Sequence, residues 1–362
     1  MRRLPSVFTT TLLGLTTLLG AGCFGVRTDS KAPVDQSMAG KWMVLAPMPA
    51  SRQEVAVAAL DGRVFVIGGF SGSADPVATV NVYDPATNQW ETRAPLPAPT
   101  HHAAAAVAAG KLYVIGGYTG GRLRWMASQI TYEYDPARDS WATRALMPTP
   151  RGGLAAASLG NRIHALGGDS NGATNVHEIY DPATNRWSTA NPLPTARDHL
   201  AAVAFQDRVW AIGGRESFLG TQYANVEVYD PATDSWRVAP PLPAGRGGLA
   251  AVAVGDHILV FGGEAPFRIF SATEMYEVAG NRWIAKTPMP TPRHGIGAAV
   301  VGDRVFIPGG GASPAASRRP LPTRPTCREA LRRGRRRARP ARRGPGVSAD
   351  VEGRRAAGAR PD

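Results

Sequence analysis

Five arginines share one register in this chain. Arg52, Arg151, Arg197, Arg246 and Arg293 each stand sixteen residues before a Gly-Gly pair, and Thr100 holds the remaining place. A guanidinium is a rigid fork of donors that grips a carboxylate through two parallel hydrogen bonds. Five forks brought to one rim would make a basic funnel for a carboxylate-bearing peptide or an acidic sugar. Beside them lie Glu54, His101, His102, Asp198, His199 and His294. Arg124, Trp125, Arg215, Glu216, Phe218, Tyr223, Phe267 and Arg268 follow the Gly-Gly pairs. Aromatic rings among cations suit stacking on sugar or side-chain faces. The residues expected to bind ligand are therefore Arg52, Arg151, Arg197, Arg246, Arg293, His199, Trp125 and Arg215. The competing reading is that the register arginines only bond loop carbonyls. No CxxC or His/Cys cluster has the spacing of a zinc site, so the histidines read as solvated loop residues and neither metal nor cofactor is expected.

What positions these residues is a repeat. Gly-Gly pairs begin at Gly68, Gly116, Gly167, Gly213, Gly262 and Gly309. After the first five come Tyr83, Tyr134, Tyr180, Tyr229 and Tyr276, each seven residues before a tryptophan (Trp90, Trp141, Trp187, Trp236, Trp283). A proline follows each tryptophan by seven, and the next Gly-Gly follows that proline by nineteen; Trp42, Pro49 and Gly68 open the chain on the same spacing. Only the interval from Gly-Gly to Tyr varies, taking 15, 18, 13, 16 and 14 residues. A nonapeptide such as "IYDPATNRW" (179–187) recurs too often to be a catalytic motif and reads as a turn and a wedge.

Each repeat contains four strands, A to D. "EVAVAAL" and "RVFVIGG" flank Asp61-Gly62, a two-residue turn that tolerates positive φ. "TVNVY" alternates, Asp84-Pro85 begins a turn, and "QWETR" is the fourth strand. First strands such as "AAAAVAA" (103–109) are nearly all small, as strands crowded around an axis must be. Four antiparallel strands recurring every 46–51 residues predict a β-propeller blade.

The double glycine, Tyr and Trp at these spacings resemble the kelch-repeat β-propellers, over residues 41–311. The resemblance implies an all-β, six-bladed propeller of four-stranded antiparallel blades. The chain would close by lending the strand around Trp42 to a sixth blade. That blade should be incomplete, with strand C missing, because no Tyr-Asp follows "FIPGGG" (306–311). In an up-and-down blade the variable B–C loops share a face with the D–A loops that carry the arginines.

The net charge of +13 belongs to the chain ends. Residues 24–311 hold 24 Lys plus Arg against 24 acids, whereas 312–362 hold fifteen Arg against four acids. A neutral folded body argues against nucleic acid as a partner. Residues 1–22 read as a signal peptide, with Arg2 and Arg3 before an apolar stretch. "LGAGC" resembles a lipobox with Gly20 where leucine is usual, so Cys23 is expected to be acylated, followed by a polar linker over 23–40. The Arg/Pro-rich segment 312–362 is read as a disordered tail, its composition being that of GC-rich DNA translated out of frame from about residue 311. The chain is expected to be exported as an outer-membrane or cell-surface lipoprotein, or else to be periplasmic or secreted. Its expected role is non-catalytic binding of a protein, peptide or carbohydrate. The alternative is a mutarotase similar to the kelch N-acetylneuraminate epimerases, with Glu216 or His199 as acid–base. A galactose-oxidase-like copper enzyme is disfavoured, since that resemblance requires a Tyr–Cys cofactor and no cysteine lies within the blades.

Overall fold

The structure, a computed structural model, describes residues 40–121, 124–313 and 347–350. The expected signal peptide, the expected acylation site at Cys23, the linker up to residue 39 and the tail other than 312–313 and 347–350 lie outside the described residues. Among the described residues every regular element is a β-strand, and no helix is long and apolar enough to cross a membrane.

Blade I pairs Ala56–Leu60, Arg63–Ile67, Val80–Asp84 and Gln89–Arg93 antiparallel in that order. Its A–B turn has Asp61 and Gly62 at φ of 50° and 71°, the left-handed geometry that a two-residue hairpin requires. Blades II (104–143), III (155–189), IV (201–239) and V (250–285) repeat the order. One further four-stranded sheet joins Ala299–Val301, Arg304–Ile307, Val347–Asp350 and Lys41–Val44. The expectation that its strand C is missing is therefore corrected: Val347–Asp350 fills that place. Val347 stands opposite both Ile307 and Val44, and Asp350 opposite Arg304 and Lys41. Two strands left a gap apart present rows of unpaired backbone groups, and any extended stretch without proline can satisfy them. Backbone pairing needs no Tyr-Asp signature.

The molecule is an all-β propeller. Its innermost strands lie side by side in a circle, Ala299–Val301 returning to Ala56–Leu60. Six apolar clusters each straddle two neighbouring sheets. The innermost strands bury alternate residues and turn the rest, mainly Ala and Val, into an axial channel of about 370 Å3.

The repeated nonapeptide builds an inter-blade pincer. Asp181 Oδ1 accepts the Ala183 N–H and caps the turn. Asn185, at φ 52°, then accepts the Tyr180 hydroxyl and the backbone N–H of Ala145 in blade II's trailing loop. The Trp187 indole donates to the carbonyl of the same Ala145 at 2.9 Å. Trp90 and Asn88 grip Ala46 alike, as do Trp141 and Asp139 on Ala94, and Trp236 and Asp234 on Asn191. Trp283 grips Pro240, which has no N–H, by its carbonyl alone. Trp42 bonds Thr287 O at 2.9 Å, so the first strand holds the loop that leaves blade V.

Blade III also buries two histidines. His164 Nδ1 lies 2.9 Å from His177 Nε2, and His177 Nδ1 lies 3.2 Å from the Asn191 carbonyl. The carbonyl only accepts, so His177 donates to it and accepts from His164. Burial holds both neutral, pushing His164 down to about 3 and His177 down to about 4. Their unfolded values lie near 6.5. The stabilisation is thus full above about pH 6.5 and is lost as the pH falls toward 4, because only the unfolded chain takes up protons there. The slope approaches about 1.4 kcal/mol per pH unit for each histidine. Urea unfolding at pH 7 and pH 5 should show this loss, and His164→Val/His177→Leu should flatten it. An unchanged slope in the double variant would remove these histidines as its cause.

Candidate functional site at the axial mouth

The D–A loops and B–C segments meet on one face. Arg52 pairs with Ser71, His101 with Tyr118, Gly152 with Asp169, Asp198 with Arg215, Gly247 with Glu264 and His294 with Gly311. Each bridge sets a D–A residue against a residue just past a Gly-Gly pair. The glycines are needed there: a Cβ on Gly116 would come within 2.6 Å of the Arg151 carbonyl, and one on Gly117 within 2.7 Å of His101 O.

The register arginines do not form a rim. Arg151, Arg197 and Arg246 are fully buried, and Arg52 and Arg293 nearly so. Arg151 donates to Glu178 at 2.9 Å and to the carbonyls of Ala165 and Val176. Arg197 pairs with Glu227 at 2.5 Å, Arg246 pairs with Glu274, and Arg52 donates to Asn81 Oδ1. Arg293 donates to Gly309 O at 2.7 Å. Each guanidinium ties its D–A loop to the blade that follows. Desolvation pushes Arg52 and Arg151 down to about 10, so both stay charged at neutral pH. The expected basic funnel is corrected accordingly: these five guanidinium groups are buried in the wall, bonded there to carbonyls, Asn81 and glutamates rather than set out on a rim.

The other three predicted residues do converge at the mouth. The Trp125 ring sits 4.7 Å from His101 and 5.4 Å from His102, and His102 lies 4.9 Å from His199. His199 Nδ1 bonds Asp198 Oδ1 at 2.5 Å, and Arg215 spans Asp198 and Glu264 at 3.1 and 2.8 Å. Burial alone would raise Asp198, but His199 and Arg215 together hold its carboxyl below the usual range. Burial pushes His101 down to about 4, so it enters its 2.6 Å contact with His102 as the neutral ring.

Around this polar centre the tips of three B–C segments are apolar. Trp125 is 48% exposed, Met126 51%, Leu219 72% and Phe267 70%. Arg215 lies over the Phe218 ring at 5.5 Å, and Arg268 over Phe270 at 4.3 Å. Glu216 is spent on its own loop, accepting from Thr221. The sequence reading passed over Glu178, Glu227, Glu274 and Glu264. The first three carried a signal, each standing two residues before a repeat tyrosine, in just those repeats whose arginine they meet.

The family model for the KLHDC2/KLHL20/DRC7 kelch-repeats domain matches residues 34–193 and again residues 148–311. Comparison with curated proteins gives no match. Among solved structures, the chain is similar to that of YjhT with a TM-score of 0.64 and 18% identity, over 74% of this chain and 94% of that one. A likeness at this identity speaks to the fold alone. Glycine pairs at left-handed φ, the Tyr–Trp pincer and the double match of the model together place the chain in the kelch-repeat family.

Proposed function

We propose that this chain is a non-catalytic binding protein of the cell envelope, a six-bladed kelch ring that takes a protein, peptide or carbohydrate ligand on its B–C/D–A face. One observation carries the reading. Trp125, Met126, Leu219 and Phe267 are each exposed on a length-variable segment, on the same face as a mouth of charged groups. Large apolar side chains held out on loops over a rigid scaffold are what a recognition surface needs. Edge-on contact with His101 and tilted contacts with Tyr118 and Phe70 hold the Trp125 ring before any ligand arrives, which lowers the ordering cost of binding. The count of six rests on the hydrogen-bonded circle of D–A loops and on the seam that Trp42 closes. Export rests on the leader-like residues 1–22, and a membrane partner rests on Cys23.

The test uses glycan and peptide arrays probed with the wild-type chain and with Trp125→Ala/Phe267→Ala. The double variant should stay folded, losing no more than about 1.5 kcal/mol, the scale of an aromatic pair contact, and should lose array binding by tenfold or more. Equal binding by both would defeat the proposal, and recovery of the chain outside the envelope fraction of a bacterial host would defeat its location. A mutarotase of the N-acetylneuraminate epimerase kind is the second reading, favoured by the Asp198–His199 pair beside Arg215. Accelerated anomer exchange on that sugar, followed by NMR, would establish it instead.

A further inference from the structure

The innermost turn of the mouth is a closed circle of six backbone hydrogen bonds. Glu54 N–H donates to Gly295 O, His102 to Glu54, Gly153 to His102, His199 to Gly153, Gly248 to His199 and Gly295 to Gly248, at 2.8–3.1 Å. All six residues lie at left-handed φ, between 51° and 64°. Glycine takes this geometry freely, and three positions have it. Glu54, His102 and His199 hold it with full side chains, an outlier of the kind that clusters at functional sites.

The three side chains point toward one another. A carboxylate oxygen of Glu54 and one ring nitrogen from each histidine all fall within 4.8 Å of one another, with His102 Nε2 to Glu54 Oε2 at 3.4 Å. The glycines of the circle make the room. A Cβ on Gly295 would collide with the Glu54 carboxylate, and one on Gly153 would stand 3.0 Å from His199 Nδ1. Donors around a tetrahedral zinc at about 2.0–2.1 Å sit about 3.4 Å apart. The Glu54–His102 edge already has this length, and side-chain rotation on the order of 1 Å closes the others.

The surroundings orient the donors. Asp198 takes the Nδ1 side of His199 at 2.5 Å and is itself fixed by Arg215, the carboxylate–histidine arrangement that directs the other ring nitrogen to a metal. That nitrogen, His199 Nε2, is buried and has no hydrogen-bond partner. His101 occupies the Nδ1 side of His102 in the same manner. His294, fully buried, sets a second Nε2 that lacks a hydrogen-bond partner between Glu264 Oε2 at 3.5 Å and Glu54 Oε1 at 3.7 Å. The nearby charges are Glu54, Asp198 and Glu264 against Arg215, which leaves an excess of negative charge for a cation.

We propose that Glu54, His102 and His199 bind one divalent transition-metal ion at the propeller axis. Two imidazoles and one carboxylate select a zinc- or iron-like ion over magnesium or calcium, which take all-oxygen shells. The site stands whether or not the apolar loop tips bind anything.

The test uses the untagged full chain, stripped with a chelator, titrated calorimetrically with Zn(II) and followed with Co(II) by its visible d–d absorption. The wild type should bind one equivalent of Zn(II) and unfold at a higher temperature with it. His199→Gly and Glu54→Gly should fold, because glycine suits their φ, and should lose both saturable binding and the thermal shift. Asp198→Asn, which leaves the backbone circle intact, should weaken binding about 10–100-fold. His257→Gln, on strand B of blade V, should bind as wild type. Circular dichroism checks each variant's fold. No saturable binding by the wild type, or equal binding by His199→Gly, overturns the proposal.

Discussion

Arg151→Ala should destabilise the propeller by about 3–5 kcal/mol, the usual cost of stripping one partner from a buried ion pair. Glu178 would be left charged and almost sealed from water, with only the Thr149 hydroxyl still bonded to it at 2.8 Å. The Ala165 carbonyl would lose the Arg151 donor as well, and the Val176 carbonyl would keep only the Gly167 N–H. Chemical denaturation measures this directly, and a fall in Tm on the order of 10 °C should accompany it. The chain itself supplies the compensating change. Where blade II has Thr100 in the arginine register, it has Tyr132 in the place that Glu178 holds in blade III. Arg151→Thr/Glu178→Tyr copies that solution, and an apolar Arg151→Met/Glu178→Leu pair avoids the buried charge altogether. Either double variant should recover more than half of the loss, since replacing a buried pair whole costs far less than halving it. Were Arg151 a ligand-binding rim residue, Arg151→Ala would leave stability alone and weaken binding. A loss below about 1 kcal/mol would therefore reinstate the funnel.

That contrast shows what one sequence can and cannot disclose. The spacing of Gly68, Tyr83, Trp90 and Pro97 is a backbone and packing pattern, and such patterns repeat wherever the structure repeats, so the blades were legible. The arginine register was equally visible, but its role was not, because a guanidinium suits a carboxylate in a wall as well as one in a ligand. The arbiter was the column two residues before each tyrosine, which reads Asn81, Tyr132, Glu178, Glu227 and Glu274 and tracks Arg52, Thr100, Arg151, Arg197 and Arg246. The mouth was legible in part. Trp125, Arg215 and His199 do meet, since all lie on loops of one face. Missing was the column two residues after the arginines: Glu54, His102, Gly153, His199, Gly248 and Gly295. Its three glycines mark a left-handed turn, and against them two histidines and a glutamate are the exceptions that draw attention. The strand Val347–Asp350 left no trace, because a ladder completed through backbone groups needs no particular side chains.

Trp42→Ala should cost about 3 kcal/mol, near the lower end for deleting a packed tryptophan, and its consequence should differ in kind from that of Trp187→Ala. Both indoles are half-buried wedges that donate to a neighbouring blade's carbonyl at 2.9 Å. Trp187 lies within a run of blades joined by the chain, so its loss lowers stability without opening a path. Trp42 lies at the seam, on a strand that no short loop ties to blade V. Its ring meets Phe261 edge-on at 5.9 Å, and its indole N–H bonds Thr287. Loop-closure entropy opposes a contact between residues 245 apart in sequence. Removing the wedge should therefore allow local opening before global unfolding. Native-state hydrogen exchange separates the cases. In Trp187→Ala the protected amides of all blades should quicken together. In Trp42→Ala those of Ala299–Val301 and Arg304–Ile307 should exchange well ahead of blades II to IV, because opening the seam strips these strands of neighbours on both sides. Identical exchange maps for the two variants would mean that the ring does not depend on its seam, and that the terminal sheet is held as firmly as any blade.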